Sequence, residues 1–213
     1  MFENFSFEDF KRQLKENDKL RFTTYGLGAL IVLTLGYFTY RQFIWGPSNE
    51  KSRDAYWSGL NYAAKDSTDK AISLLEPAVK NYDGKQGGEL AQFVLARQYM
   101  AKGDFQKALE ELEGVDIEDT YLSIYRIGLQ GDCKSELKKY EEALELYVEA
   151  AELNENEKTS PEYLFKAGLV SEKLNDFERA SELYTRIKSN YLTFSNSKAI
   201  DKYIARTKNK IVK

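Results

Sequence analysis

The residues that ordinarily carry catalysis are few in this chain. Histidine is absent from all 213 residues, which removes the side chain that titrates near neutral pH and the commonest metal ligand. Cys133 is the single cysteine, so neither an intramolecular disulfide nor a zinc-binding thiolate cluster is available. Without an imidazole to activate it, Cys133 reads as a small buried side chain in the first helix of a repeat. The paired carboxylates Glu110/Glu111 and Glu141/Glu142 fall on predicted exposed faces and read as solvated surface. Gly84, Gly87 and Gly88 form a flexible connection and lack the Gly-Lys-Ser/Thr ending that a phosphate cradle needs. The expectation is a chain that is not an enzyme, with no catalytic residue, cofactor or metal, whose chemistry is adhesion. A net charge of −3 argues against nucleic acid as the partner.

Apolar chemistry is concentrated in one stretch. Phe22 to Tyr40 is 19 residues without a charge, bounded by Arg21 and Arg41. As a helix it would be about 28 Å long, close to the roughly 30 Å hydrocarbon core of a bilayer. Leu27, Leu30, Ile31, Val32, Leu33 and Leu35 form its centre, with Phe22 and Phe38 towards its ends. Tyr25, Tyr37, Tyr40 and Trp45 stand where an interfacial aromatic belt would be. The eight strongly apolar residues contribute on the order of −2 to −5 kcal/mol to insertion, partly offset by three glycines and four threonines. A signal-peptide core is usually 7–15 residues with a small-residue cleavage site, whereas bulky Phe43, Ile44 and Trp45 follow here. The stretch therefore predicts an uncleaved transmembrane helix with its interfacial end over 22–45. It is preceded by a polar leader over 1–21, in which Ser6 and Asp9 resemble a capping box and Phe7, Phe10 and Leu14 share a helical face. Lys11, Arg12, Lys15, Lys19 and Arg21 precede the span, against Arg41, Lys51 and Arg53 after it. By the positive-inside rule this places the N-terminus in the cytoplasm and the C-terminal domain across the membrane.

Residues 46–51, opening with Gly46-Pro47-Ser48, read as a linker. Beyond it, apolar residues recur at helical spacing and strand signals are absent. The chain also repeats itself. Gly103-Asp104-Phe105 with Ala108, Lys138-Lys139-Tyr140 with Ala143, and Asn175-Asp176-Phe177 with Ala180 are versions of one unit. Its alanines are 35 and 37 residues apart, and Ala71 lies 37 before Ala108. Such a period predicts an all-α helical solenoid over 52–191. Gly103 and Asn175 are suited to the left-handed turn that ends a helix, Asp104 and Asp176 to capping the next one, and the alanine to the closest approach of the pair. Pro77 is expected to interrupt the second helix of the first unit. Residues 192–213, with six basic residues and one acid from Lys198 to Lys213, read as a capping helix and a basic tail.

These motifs resemble the tetratricopeptide repeat, as four units. In that family the first helices line a groove, and the resemblance implies that Tyr56, Leu60 and Ala63; Leu90, Phe93, Arg97 and Met100; Tyr125, Asp132 and Ser135; and Glu162, Phe165, Leu169 and Glu172 face it. The partner floor would then be Tyr56, Leu60, Leu90, Phe93, Arg97, Met100, Tyr125, Phe165 and Leu169, suited to apolar extended segments or to a partner's helix. The whole arrangement resembles the YfgM-type ancillary subunit of the bacterial Sec translocon. That resemblance implies an inner-membrane protein with a periplasmic solenoid beside SecYEG, acting with a PpiD-type membrane chaperone on secreted client polypeptides. An envelope scaffold for cell division or outer-membrane assembly, and a cytoplasm-facing adaptor, stay open as alternatives.

Overall fold

The computed structural model describes residues 7–212, and every regular element among them is helical. The chain divides between residues 50 and 51 into two units. The first holds α1 (Phe7–Glu16), α2 (Asp18–Tyr40) and a π-helical turn (Arg41–Trp45). Asn17 separates α1 from α2 with extended backbone angles, and its side chain accepts from the Leu20 amide at 3.1 Å. Ser6, expected to cap α1, lies outside the described residues. No residue of α2 is buried. Its threonine hydroxyls donate back to carbonyls of their own helix, as Thr34 does to Leu30 at 2.7 Å and Thr39 to Leu35 at 2.8 Å, leaving no threonine hydroxyl of α2 without an acceptor.

The expected linker over 46–51 is helical, forming the start of α3 (Gly46–Ala63). The π-turn is the physical reason. There the Gly46 amide reaches back to the Arg41 carbonyl, which widens the helix just before Pro47, whose ring would otherwise crowd the preceding turn.

The second unit continues through α4 (Thr68–Asn81), α5 (Gln86–Lys102), α6 (Phe105–Gly114), α7 (Thr120–Glu136), α8 (Tyr140–Glu152), α9 (Ser160–Lys173), α10 (Phe177–Asn190), α11 (Leu192–Lys198) and α12 (Ile200–Ile211). Each helix from α4 to α10 packs on the next, and α12 packs on α10. Within each helix pair the turn has one geometry, repeated four times. Asp66, Gly103, Lys138 and Asn175 take positive φ. The two amides after each first helix bond back to carbonyls in its last turn, as Gly103 does to Met100 and Asp104 to Tyr99, both at 2.9 Å. Lys138 occupies the glycine position at a cost of roughly 1 kcal/mol. Asp104 and Asp176 cap the following helices as expected, accepting from the Lys107 and Arg179 amides.

Pro77 does not interrupt α4. A mid-helix proline costs about 3 kcal/mol, but Ala71, Ile72, Leu75 and Ala78 anchor both sides of it in the core, and that packing wins.

The pairs close where bulk is missing. Ala71, Ala108, Ala143 and Ala180 are each 0 % exposed. Four residues beyond each stands a large buried side chain: Leu75, Leu112, Tyr147 and Tyr184. Leu75 lies against Gly59, Tyr147 against Gly131 and Tyr184 against Gly168, where any Cβ would collide with them. Tyr184 cannot yield easily, because it is fully buried and its hydroxyl donates to Glu172 at 2.7 Å. Gly168→Ala should therefore lower unfolding free energy by about 1–3 kcal/mol in urea titration, although alanine gains up to about 1 kcal/mol in helix propensity. A neutral or stabilising result would contradict this packing.

Candidate functional site

The first helices of successive units touch along one row. The Gly87 amide of α5 donates to Ser52 Oγ of α3 at 3.1 Å, and Gly87 and Ser52 are both buried there. Gly128 of α7 lies so close to the Tyr163 ring of α9 that no side chain fits between them. On α7, Asp132 accepts two bonds from Lys166 Nζ of α9, at 2.7 and 2.9 Å. Glu172 of α9 then accepts from Arg206 of α12 at 2.6 Å. Each of these last two pairs is separated by 34 residues, one repeat length.

A tyrosine completes both pairs. Tyr147 donates to Asp132 at 2.6 Å, and Tyr184 donates to Glu172 at 2.7 Å. Each carboxylate thus binds a hydroxyl from its own unit and a cation from the next. Burial, and then the carboxylate partner, push both tyrosine hydroxyls well above the ordinary phenol range, so they remain donors. The Cys133 thiol is pushed up to about 11 by burial and the charge of Asp132. It stays a protonated, fully buried side chain, not a nucleophile.

The expected groove residues divide into three groups. Phe93 and Phe165 are only 7 % and 9 % exposed and belong to the core. Phe165 meets Tyr203 of α12 edge-on at 4.9 Å, with Tyr184 and Phe194 also beside it, so the terminal helices cover the ring expected to be free. Tyr56, Leu60, Leu90, Met100 and Ala63 are half-buried. Tyr125, Leu169 and Arg97 are exposed, and Arg97 makes no ion pair among the described residues. Asp132, Glu172 and Ser135 are half-buried, and the two carboxylates are already engaged. Glu162 is half-buried. Two exposed aromatics of the same helix row escaped the sequence reading: Trp57, whose ring lies 5.9 Å from that of Tyr56, and Tyr121. The usable surface is thus an intermittent aromatic and aliphatic strip, which offers shape and apolar contact and little charge.

The residues expected to face lipid, Phe22, Tyr25, Leu27, Leu30, Ile31, Val32, Leu33, Leu35, Tyr37 and Tyr40, all lie on α2 with at least half of their surface open. α2 is the described helix long and apolar enough to cross a membrane, and none of that window is buried against protein.

Comparison with known proteins agrees with this architecture. The tetratricopeptide repeat-like domain family matches residues 11–154, a stretch that includes α2, and the tetratricopeptide repeat matches residues 162–191. No curated protein matches the sequence. Among solved structures, MamA AMB-1 is similar at 21 % identity, with 76 % of this chain and 82 % of that one aligned and a TM-score of 0.56. The apo form of RapI aligns at 17 % identity over 85 % of this chain and 68 % of its own, with a TM-score of 0.61. A putative kinesin light chain of Podosopora anserina with nearly identical repeats aligns at 16 % identity over 76 % and 87 %, with a TM-score of 0.60. At these identities the likeness is one of fold.

The Tyr147–Asp132–Lys166 trio yields a direct test. Asp132→Ala should lower unfolding free energy by about 1–3 kcal/mol, towards the low end because the pair is partly solvated. Combined with Tyr147→Phe, the loss should be less than the sum of the two single losses. Strict additivity in urea titrations would show that the hydroxyl and carboxylate act independently.

Proposed function

Because the chain belongs to the tetratricopeptide repeat-like domain family, we propose that it is a membrane-anchored protein-binding module. α2 crosses the bilayer, and the first-helix row carrying Tyr125 and Leu169 takes an apolar segment of a protein partner. The observation that carries this reading is that no residue of α2 is buried. A charge-free helical stretch of 19 residues, Phe22 to Tyr40, with none of them buried leaves a large oily surface that water does not tolerate and a bilayer does.

The finer reading puts the N-terminus in the cytoplasm and the repeats in the periplasm of a bacterial inner membrane. There the protein works beside the SecYEG translocon with a PpiD-type membrane chaperone on secreted client polypeptides. Its support is the order of parts (a basic leader, one apolar helix, then the repeats), which the YfgM-type resemblance shares. The domain bounds of this reading are a leader to residue 21, an anchor over 22–45 and repeats over 52–191, closed by the terminal helices. A second reading, a cytoplasm-facing adaptor, draws on the narrow basic margin of five residues before the span against three after it.

A photo-crosslinking residue at Tyr125, with one at Glu149 on α8 for comparison, tests this in intact membranes. The proposal expects adducts at Tyr125 with Sec subunits, the chaperone or emerging secreted chains, and at least several-fold fewer at Glu149. Adducts confined to soluble cytoplasmic proteins would support the adaptor reading, and adducts with division or outer-membrane machinery the envelope scaffold. Equal yields at the two positions would overturn the row as the binding surface.

A further inference from the structure

The helix break at Asn17 leaves an open cleft of about 840 Å³ between α1 and the first turns of α2. Phe7, Phe10 and Leu14 line it from one face of α1, and Tyr25 lines it from α2. Phe7 is 71 % exposed, and Lys11 Nζ lies over its ring, 4.7 Å from the centroid. Among the described lining residues the charges are mostly positive: Lys11, Arg12, Lys15 and Arg21 against the carboxylate of Glu8, with Arg21 also paired to Asp18 at 2.7 Å. Lys15 makes no ion pair among the described residues.

We propose that this cleft binds an anionic phospholipid. The inference rests on the reading of α2 as a membrane span. On that reading the cleft opens at headgroup depth, because the charge-free stretch begins at Phe22, immediately after the lining residue Arg21. An acyl chain covers Phe7, Phe10, Leu14 and Tyr25, continuing the lipid-facing surface of α2. The phosphate meets the cations, of which Lys15 is unclaimed. A soluble anion would satisfy the charges and leave the rings bare, whereas a membrane lipid satisfies both.

The test uses the full chain in detergent, offered equimolar phosphatidylglycerol and phosphatidylcholine and analysed by native mass spectrometry. Phosphatidylglycerol adducts should predominate by about tenfold or more. Lys15→Gln and Lys11→Gln should each reduce that preference by up to about fivefold, while Lys208→Gln on α12 should leave it unchanged. Equal adducts of the two lipids on the unaltered chain, or a preference indifferent to both lysine variants, would overturn the proposal. Failure of the span reading is separately visible: a chain that does not stay with membranes after alkaline washing loses its anchor whatever its lipid preference in detergent.

Discussion

The repeats depend on a steric constraint: wherever two paired helices cross, one of them must be nearly bare. Ala71, Ala108, Ala143 and Ala180 meet that requirement on the second helices, and Gly59, Gly131 and Gly168 meet it on the first. Bulk is displaced to the residue one turn beyond the alanine, which fills the space that the small residue opens. Where that residue is tyrosine, the opposing position is glycine. Interiors packed at crystal-like density tolerate no other distribution. This complementarity makes a pair of short amphipathic helices, each marginal alone, into a unit with a defined crossing.

Tyrosine also links one unit to the next. The two that fill glycine gaps extend their hydroxyls to Asp132 and Glu172, and those carboxylates accept Lys166 and Arg206 from the following first helix or its terminal stand-in. Packing inside a unit is thereby coupled to register between units, which a stack with only nearest-neighbour contacts requires. The second-helix side has a counterpart, where Arg186 of α10 grips Glu152 and Glu155. In α5 the corresponding first-helix positions hold Arg97 and Met100, and the pattern is absent there. There α5 is tied to α4 by other pairs, Tyr99 donating to Glu76 and Lys102 to Asp69, both at 2.6 Å, while Arg97 is exposed and makes no ion pair among the described residues.

Much of this was legible in the sequence, because helix-ending residues and small residues act locally. The left-handed turns at Gly103 and Asn175, the aspartate caps and the alanine period follow from backbone preferences that need no tertiary context. The departures are cases where packing overrode local preference. Pro77 sits inside a helix held by buried neighbours on both sides, and Pro47 is carried through by a π-turn that propensity does not anticipate. The groove was read from repeat position alone, which names a direction without saying what lies above it. Phe165 is buried, with Tyr203 and Phe194 from the terminal helices against its ring. The 34-residue spacing of Asp132 with Lys166 and of Glu172 with Arg206 was present in the sequence as opposite charges one repeat apart. That signal could have identified the inter-unit pairs.

The apolar helix and the solenoid are opposites in one respect. The repeats satisfy their own apolar faces among themselves, whereas α2 satisfies none of its own. Its exposed leucines, isoleucine and valine have no described part of the protein burying them, and its threonines already spend their donors on the helix itself. The most direct measurement is the partition of the full-length chain after membranes are washed in alkaline carbonate and centrifuged. The account predicts that it stays in the pellet and that a chain lacking residues 7–45 moves to the supernatant. Full-length protein in the supernatant would contradict it.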